Sequence, residues 1–300
     1  MNAPHDLVRA ALPPSVRLEE EHGLPCLQIS GPQATARVFF HGAHVAAWQP
    51  SHAAAPVVWL SRHSLFEDSK PIRGGVPICF PWFGPHPSDK TVPAHGFARL
   101  ADWTLTDAAE TGAGAVTLAL RLPDIQSPGA PSATFALTHR IAIGRELTMT
   151  LEVVNQGTEE FIFEEALHTY LAVRDITAVA VTGLGRTEYL DKTEGFARRR
   201  EGDGPIRFTA ETDRVYLDTA TRVHVDDPGL HRRITVSKDG SRSTVVWNPW
   251  IDKARAMSDF GDDEWREMVC VETANVGDAR VRLSPGGVHT MTAVVIVEDE

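Results

Sequence analysis

Short apolar runs rich in Val, Thr, Ile and Phe recur along most of the chain, broken by Gly, Pro, Asp and Asn. Within them the apolar positions alternate with a period of two rather than 3.6, the pattern of half-buried strands. Strands are expected at 36–40, 57–60, 115–122, 134–143, 146–154, 161–173, 178–182, 233–237, 243–247, 268–273, 280–283 and 290–297. Gly144, and the Lys238-Asp239-Gly240 triplet, supply residues that tolerate positive φ, so both predict hairpins between antiparallel strands. Helical signals are confined to single turns at 64–68 and 262–267. Strands do not alternate with helices, which disfavours a doubly wound sheet or a TIM barrel. With no repeat, linker or low-complexity block, the expectation is an all-β protein, one large antiparallel β-sandwich domain over residues 1–300 with few short helices.

Residues 70–99 break the pattern, because their Pro, Gly and aromatic density suits neither helix nor strand. A long irregular segment in a compact domain is usually functional or disordered. Its apolar content favours an ordered loop that walls a site.

Composition excludes several function classes. The 300 residues are 42% hydrophobic, which rules out disorder as the main state. Forty acidic residues against 29 basic ones give a net charge of −11 without any basic tract, so nucleic acid is not an expected partner. Three cysteines, Cys26, Cys79 and Cys270, form neither a CxxC pair nor a zinc spacing, which reads as a reduced, cytoplasmic chain. The first residues carry no apolar signal region and no stretch is long enough to span a membrane. His41, His44, His86 and His95 are too loosely spaced for a metal signature, and no phosphate-binding glycine loop or nucleophile elbow is present, so no cofactor is expected.

In a continuous 161–173 strand, Glu164, Ala166, His168 and Tyr170 share one face. His168 reads either as a hydrogen-bonded core histidine or as a proton-transfer group suited to neutral pH. Glu272 breaks the apolar run 268–273, where an ionised carboxylate costs several kcal/mol unless it is met by a partner. It is therefore either half of a structural Glu–Arg pair or a base retained for chemistry. Arg73, before Gly74-Gly75, and Arg99, closing HGFAR, are either loop-capping arginines or a bidentate anion clamp. Trp82, Phe83 and Phe97 are either packing residues or a stacking surface for a sugar ring.

Taken together, PIRGGVPICFPWFG, HGFARLADW, LHTYL, YLDKTEG, WNPW followed by MSDF, and VCVETANV resemble the hexose-6-phosphate mutarotases of the aldose 1-epimerase superfamily, from about Trp59 to the C-terminus. The resemblance implies a sandwich of the galactose mutarotase type. It implies that His168 and Glu272 are the catalytic pair and that Arg73, Arg99, His95 and Asp191 contact the substrate. Family members often have glutamine before HGFAR, where this chain has Ala94, which removes one polar contact.

The implied reaction interconverts the α and β anomers of a hexose 6-phosphate, glucose 6-phosphate first. Glu272 acts as base at the C1 hydroxyl, His168 as acid at the ring oxygen, and Arg73 and Arg99 hold the phosphate; no metal or redox cofactor takes part. A monomer is expected. Three alternatives stay open at this point: an aldose 1-epimerase for unphosphorylated sugars, a non-catalytic carbohydrate-binding protein, and a glycosidase, which usually needs two opposed carboxylates.

Overall fold

The computed structural model of the protein describes residues 7–124 and 133–299. The reading of the first residues as lacking a signal segment falls partly on 1–6, outside the described residues. Antiparallel strands dominate, as the period-two pattern requires. One eight-stranded sheet runs in the order Ala180–Thr182, Val223–Asp227, Arg232–Asp239, Val288–Asp299, Leu147–Asn155, Phe135–Ile143, Val116–Arg121, Thr104–Glu110. A second runs Ala197–Arg200, Glu188–Asp191, Thr212–Tyr216, Ser243–Asn248, Met268–Asn275, Glu165–Leu167, Ile78–Cys79, and Tyr170–Ala172 also pairs with Met268–Asn275. A four-stranded meander over Val16–Glu21, Leu24–Ser30, Ala34–Phe39 and His44–Pro50, and a pair made by Phe161–Phe163 with Val281–Leu283, complete the sheets.

Burial explains why the two large sheets differ in sequence. Leu147–Asn155 alternates buried and half-buried positions, with one face on the core. Met268–Asn275 is buried at every position, so both of its faces are covered. The main apolar cluster joins Leu7 to Val297 and holds Trp48, Trp103 and Trp265 almost without exposure. Each large side chain so buried contributes about 1.5–3 kcal/mol.

Several expectations are corrected by the backbone. The 161–173 run is three strands, Phe161–Phe163, Glu165–Leu167 and Tyr170–Ala172. It breaks at His168 because the His168 amide donates to Pro77 O (3.0 Å) while the Thr169 amide turns back to Leu167 O (2.9 Å). Lys238-Asp239-Gly240 ends the Arg232–Asp239 strand, yet the next strand, Ser243–Asn248, lies in the other large sheet. Gly240 therefore turns a corner between sheets, with φ of +66° and no room for a Cβ against Thr290 O. Gly144, in contrast, does join the paired strands Phe135–Ile143 and Leu147–Asn155. Residues 57–60 make only isolated bridges and 64–68 form no helical turn. The helix Trp250–Ala256 was not anticipated, and 262–267 contains the 3-10 turn Glu264–Glu267. Between residues 70 and 99 the regular structure is only the two-residue strand Ile78–Cys79 and the start of a 3-10 turn at Ala98–Leu100. No helix among the described residues is long and apolar enough to cross a membrane.

Candidate active site

Sheet register gathers the polar residues. Cys270 lies opposite both Trp247 and Tyr170, and Trp247 lies opposite Asp213. Directly opposed residues share a face, and so do residues two apart on a strand. Glu272, two beyond Cys270, is thus on the face of Tyr170, Trp247 and Asp213. Ala166 opposes Ala274, and His168 continues that face past the end of its strand. Over this face the irregular segment brings Arg73, Phe83 and His95, and the helix Trp250–Ala256 with its C-cap residue brings Lys253 and Met257. A cavity of about 180 Å³ is lined by Arg73, Phe83, His95, His168, Lys192, Asp213, Trp247, Lys253, Met257 and Glu272.

His168 Nε2 lies 3.3 Å from Glu272 Oε1, and the two side chains are 10% and 1% exposed. Glu272 Oε2 and His168 Nδ1 are buried without a hydrogen-bond partner among the described residues. Burial drives the Glu272 carboxyl well above its usual range, partly opposed by Lys192 and Arg99. Burial also drives His168 well below its usual value, and Arg99, Arg73 and Lys192 push it the same way. A lowered histidine beside a raised carboxyl shares one proton over a broad pH interval, so the pair acts as one unit. The Tyr170 ring stacks under the imidazole at 4.8 Å and 13°, which fixes its plane.

His95 adopts a φ of +64° and Gly96 one of +75°; a Cβ on Gly96 would stand 1.9 Å from Phe80 O. This close approach turns the His95 ring edge-on to His168, with centroids 6.1 Å apart. The Gly84 amide donates to His95 Nδ1 (3.3 Å), which places the imidazole proton on Nε2. Burial first, then the surrounding cations, keeps this ring neutral.

Arg73 lines the cavity. Arg99 does not line it: its Nη2 donates to Ala94 O (2.8 Å), its Nε is buried without a partner, and it acts on the site through its field. The charges of the two guanidinium groups act on each other as well as on His168. The cations that line the cavity are Arg73, Lys192 and Lys253. Asp191 is not among the residues that line the cavity. Its carboxylate accepts from the Thr193 amide (3.0 Å) and hydroxyl (2.6 Å), capping the 3-10 turn Lys192–Glu194. The cap delivers Lys192 instead, whose Nζ meets Asp213 at 2.9 Å and lies over the Phe83 ring. Asp213, raised by burial, keeps Oδ1 without a partner. Of the aromatic residues considered, Phe83 lines the cavity, whereas Trp82 and Phe97 pack against each other.

Sequence reasoning missed Lys192, Asp213, Trp247, Lys253 and Met257. The signal for two of them was composition, since the chain has only five lysines and Lys192 and Lys253 both come to this cavity.

The family model described as Aldose 1-epimerase matches residues 25–295. A protein of Escherichia coli (strain K12) named "Putative glucose-6-phosphate 1-epimerase" is 36% identical, covering 86% of this chain and 85% of its own. A protein of the same name from Cenchrus ciliaris is 34% identical, covering 84% and 78%. The crystal structure of a "putative mutarotase (YeaD)" from Salmonella typhimurium superposes with a TM-score of 0.89 at 31% identity, covering 97% of this chain and 96% of that one. A galactose mutarotase-like protein from Clostridium acetobutylicum, 14% identical with a TM-score of 0.72, covers 95% and 98% and shares the fold.

Proposed function

The chain belongs to the aldose 1-epimerase family, and from that premise we propose that this isomerase interconverts the α and β anomers of a hexose 6-phosphate, glucose 6-phosphate first. The observation that carries the reading is the His168–Glu272 contact at 3.3 Å, on the wall of a cavity that also holds Arg73, Lys192 and Lys253. Arg73, Lys192 and Lys253 line one small cavity, paired with Asp259, Asp213 and Glu211 in turn, and a phosphate group can take up the donors these carboxylates leave over, which favours an anionic sugar over a neutral one. The names of the Escherichia coli and Cenchrus ciliaris relatives support the same choice.

Glu272 takes the proton of the C1 hydroxyl while His168 gives one to the ring oxygen. The C1–O5 bond breaks and the open aldehyde forms. Rotation about C1–C2 presents the other carbonyl face, and reclosure runs both transfers in reverse. The shared proton must sit on His168 for this step. A C1 hydroxyl donating to the unpartnered Glu272 Oε2 favours the carboxylate, and a phosphate dianion favours the imidazolium, so the substrate itself moves the proton. Arg73, with Lys192 and Lys253, holds the anion and sets C1 between acid and base. His95 Nε2–H and Asp213 Oδ1 remain to meet sugar hydroxyls. The chemistry needs no metal and no redox cofactor, and the reading takes residues 1–300 as one domain acting as a monomer.

The test compares glucose 6-phosphate with glucose in one mutarotation assay. Acceleration of the phosphate ester well above that of the free sugar supports the reading; equal acceleration returns the site to unphosphorylated aldoses, and a background rate for both returns it to mere binding.

A further inference from the structure

Arg73 is bound on two sides, by Tyr170, which also stacks on His168, and by Asp259, to which the reaction assigns no role. Its Nε and Nη2 both meet Asp259 Oδ2, at 3.2 and 3.1 Å, and its Nη1 donates to the Tyr170 hydroxyl at 3.0 Å. The Nε and Nη1 hydrogen bonds use two of the five guanidinium N–H groups, the Nη2 contact is an ion pair, and N–H groups remain on both terminal nitrogens. The side chains are 21% and 14% exposed, so this is not a solvated surface pair.

Both ends of the contact are fixed to the same aromatic column. The Phe260 ring, next to Asp259, lies 5.1 Å from Trp59, and Trp59 stacks on Tyr170 at 5.6 Å. A turn bond from the Phe260 amide to Met257 O (3.2 Å) holds Asp259 in place. On the other side the Gly75 amide donates to Trp59 O (2.6 Å) and the Ser61 amide to Arg73 O (3.1 Å). Gly74, at φ of +102°, has no room for a Cβ against Leu60 Cα and Trp59 O, which brings the Arg73 backbone hard against this column. Two backbone anchors and a two-point carboxylate contact therefore set one direction for the guanidinium.

We propose that Asp259 is a positioning residue: it anchors Arg73 so that the remaining N–H groups of the terminal nitrogens face the anionic group of the substrate, and it keeps the guanidinium off the carboxylates of the cavity. This rests on the sugar-phosphate reading of the site. Without the anchor, Arg73 is free to turn to Glu272 or Asp213, which line the same cavity. The substrate's anion then has to displace it. Binding suffers before chemistry does, because the acid and base keep their places. Loss of the Asp259 charge also makes the site more positive, an effect of opposite sign that the experiment exposes directly.

The experiment measures anomer exchange of glucose 6-phosphate by wild type, Asp259→Asn, Asp259→Glu, Arg73→Met and Arg73→Met/Asp259→Asn, each shown to be folded by near-UV circular dichroism. Asp259→Asn is expected to raise KM about tenfold with kcat changed less than about threefold, the pattern of lost binding rather than lost transition-state contacts. Asp259→Glu restores most of the KM, and Asp259→Asn adds nothing once Arg73 is Met. An unchanged or lowered KM, or an equal effect in the Arg73→Met background, overturns the positioning role. A wild type that leaves exchange at the buffer rate overturns instead the functional reading on which it rests.

Discussion

At the scale of single residues, the account turns on one shared proton. His168 is held below its ordinary value and Glu272 above its own, both chiefly by burial. The pair carries one proton from above the lowered histidine value to below the raised carboxyl value, and only that state contains a base and an acid together. Once the second ionisation of the substrate's own phosphate, at about pH 6, is divided out, the kcat/KM profile for glucose 6-phosphate is therefore expected to be flat through neutrality. Its acidic limb falls where His168 and Glu272 are both protonated, below the ordinary histidine range. Its alkaline limb falls where both have lost their protons, well above the ordinary carboxylate range. Stopped-flow exchange measured across pH checks this, and an acidic limb at the ordinary histidine value contradicts it. A second prediction concerns Lys192, whose charge opposes the rise of Glu272. Lys192→Met removes that opposition and a cation from the cavity, so KM rises and the alkaline limb moves up; an unshifted limb would argue that Lys192 serves Asp213 alone.

At the scale of elements, the site depends on turns that only glycine fits. Gly96→Ala puts a Cβ on Phe80 O at positive φ, so the His95 loop has to move. A cost of more than about 2 kcal/mol in urea unfolding is expected, with activity reduced beyond any loss of folded protein. Near-normal stability would mean the loop has another conformation. The elements themselves were legible where local pattern decides, as in Phe135–Ile143, Gly144 and Leu147–Asn155. Tertiary contacts decide elsewhere: Pro77 O breaks the chain at His168, and the partners of Ser243–Asn248 lie in the second large sheet, so Gly240 turns a corner that no local signal distinguishes from a hairpin. In the site, His168, Glu272 and Arg73 stood out as polar residues against an apolar or glycine-rich background. Lys192 did not, because an Asp-Lys pair gives no sign of which member caps the turn and which points into the cavity.

At the scale of the whole molecule, acid stability reports the histidines buried outside the cavity. His44 and His139 are fully enclosed, and burial lowers them from 6.5 to about 3 and about 4. Below pH 6.5 the unfolded chain takes up protons that the folded chain refuses, so stability falls as pH falls, down to each folded value. Each histidine contributes a slope of about 1.4 kcal/mol per pH unit once fully developed. His139→Asn keeps a donor at the Nδ1 position for Ala43 O and removes the titration. Urea unfolding between pH 6 and 4.5 is expected to show a shallower loss in this variant; a slope equal to that of wild type would assign the acid sensitivity to other groups. The central claim is tested most directly by exchange NMR on the anomers of glucose 6-phosphate with wild type, His168→Asn and Glu272→Gln. Wild type is predicted to speed exchange far above buffer, and each variant, folded as before, to lose at least about 100-fold. Near wild-type exchange by either variant would contradict the account.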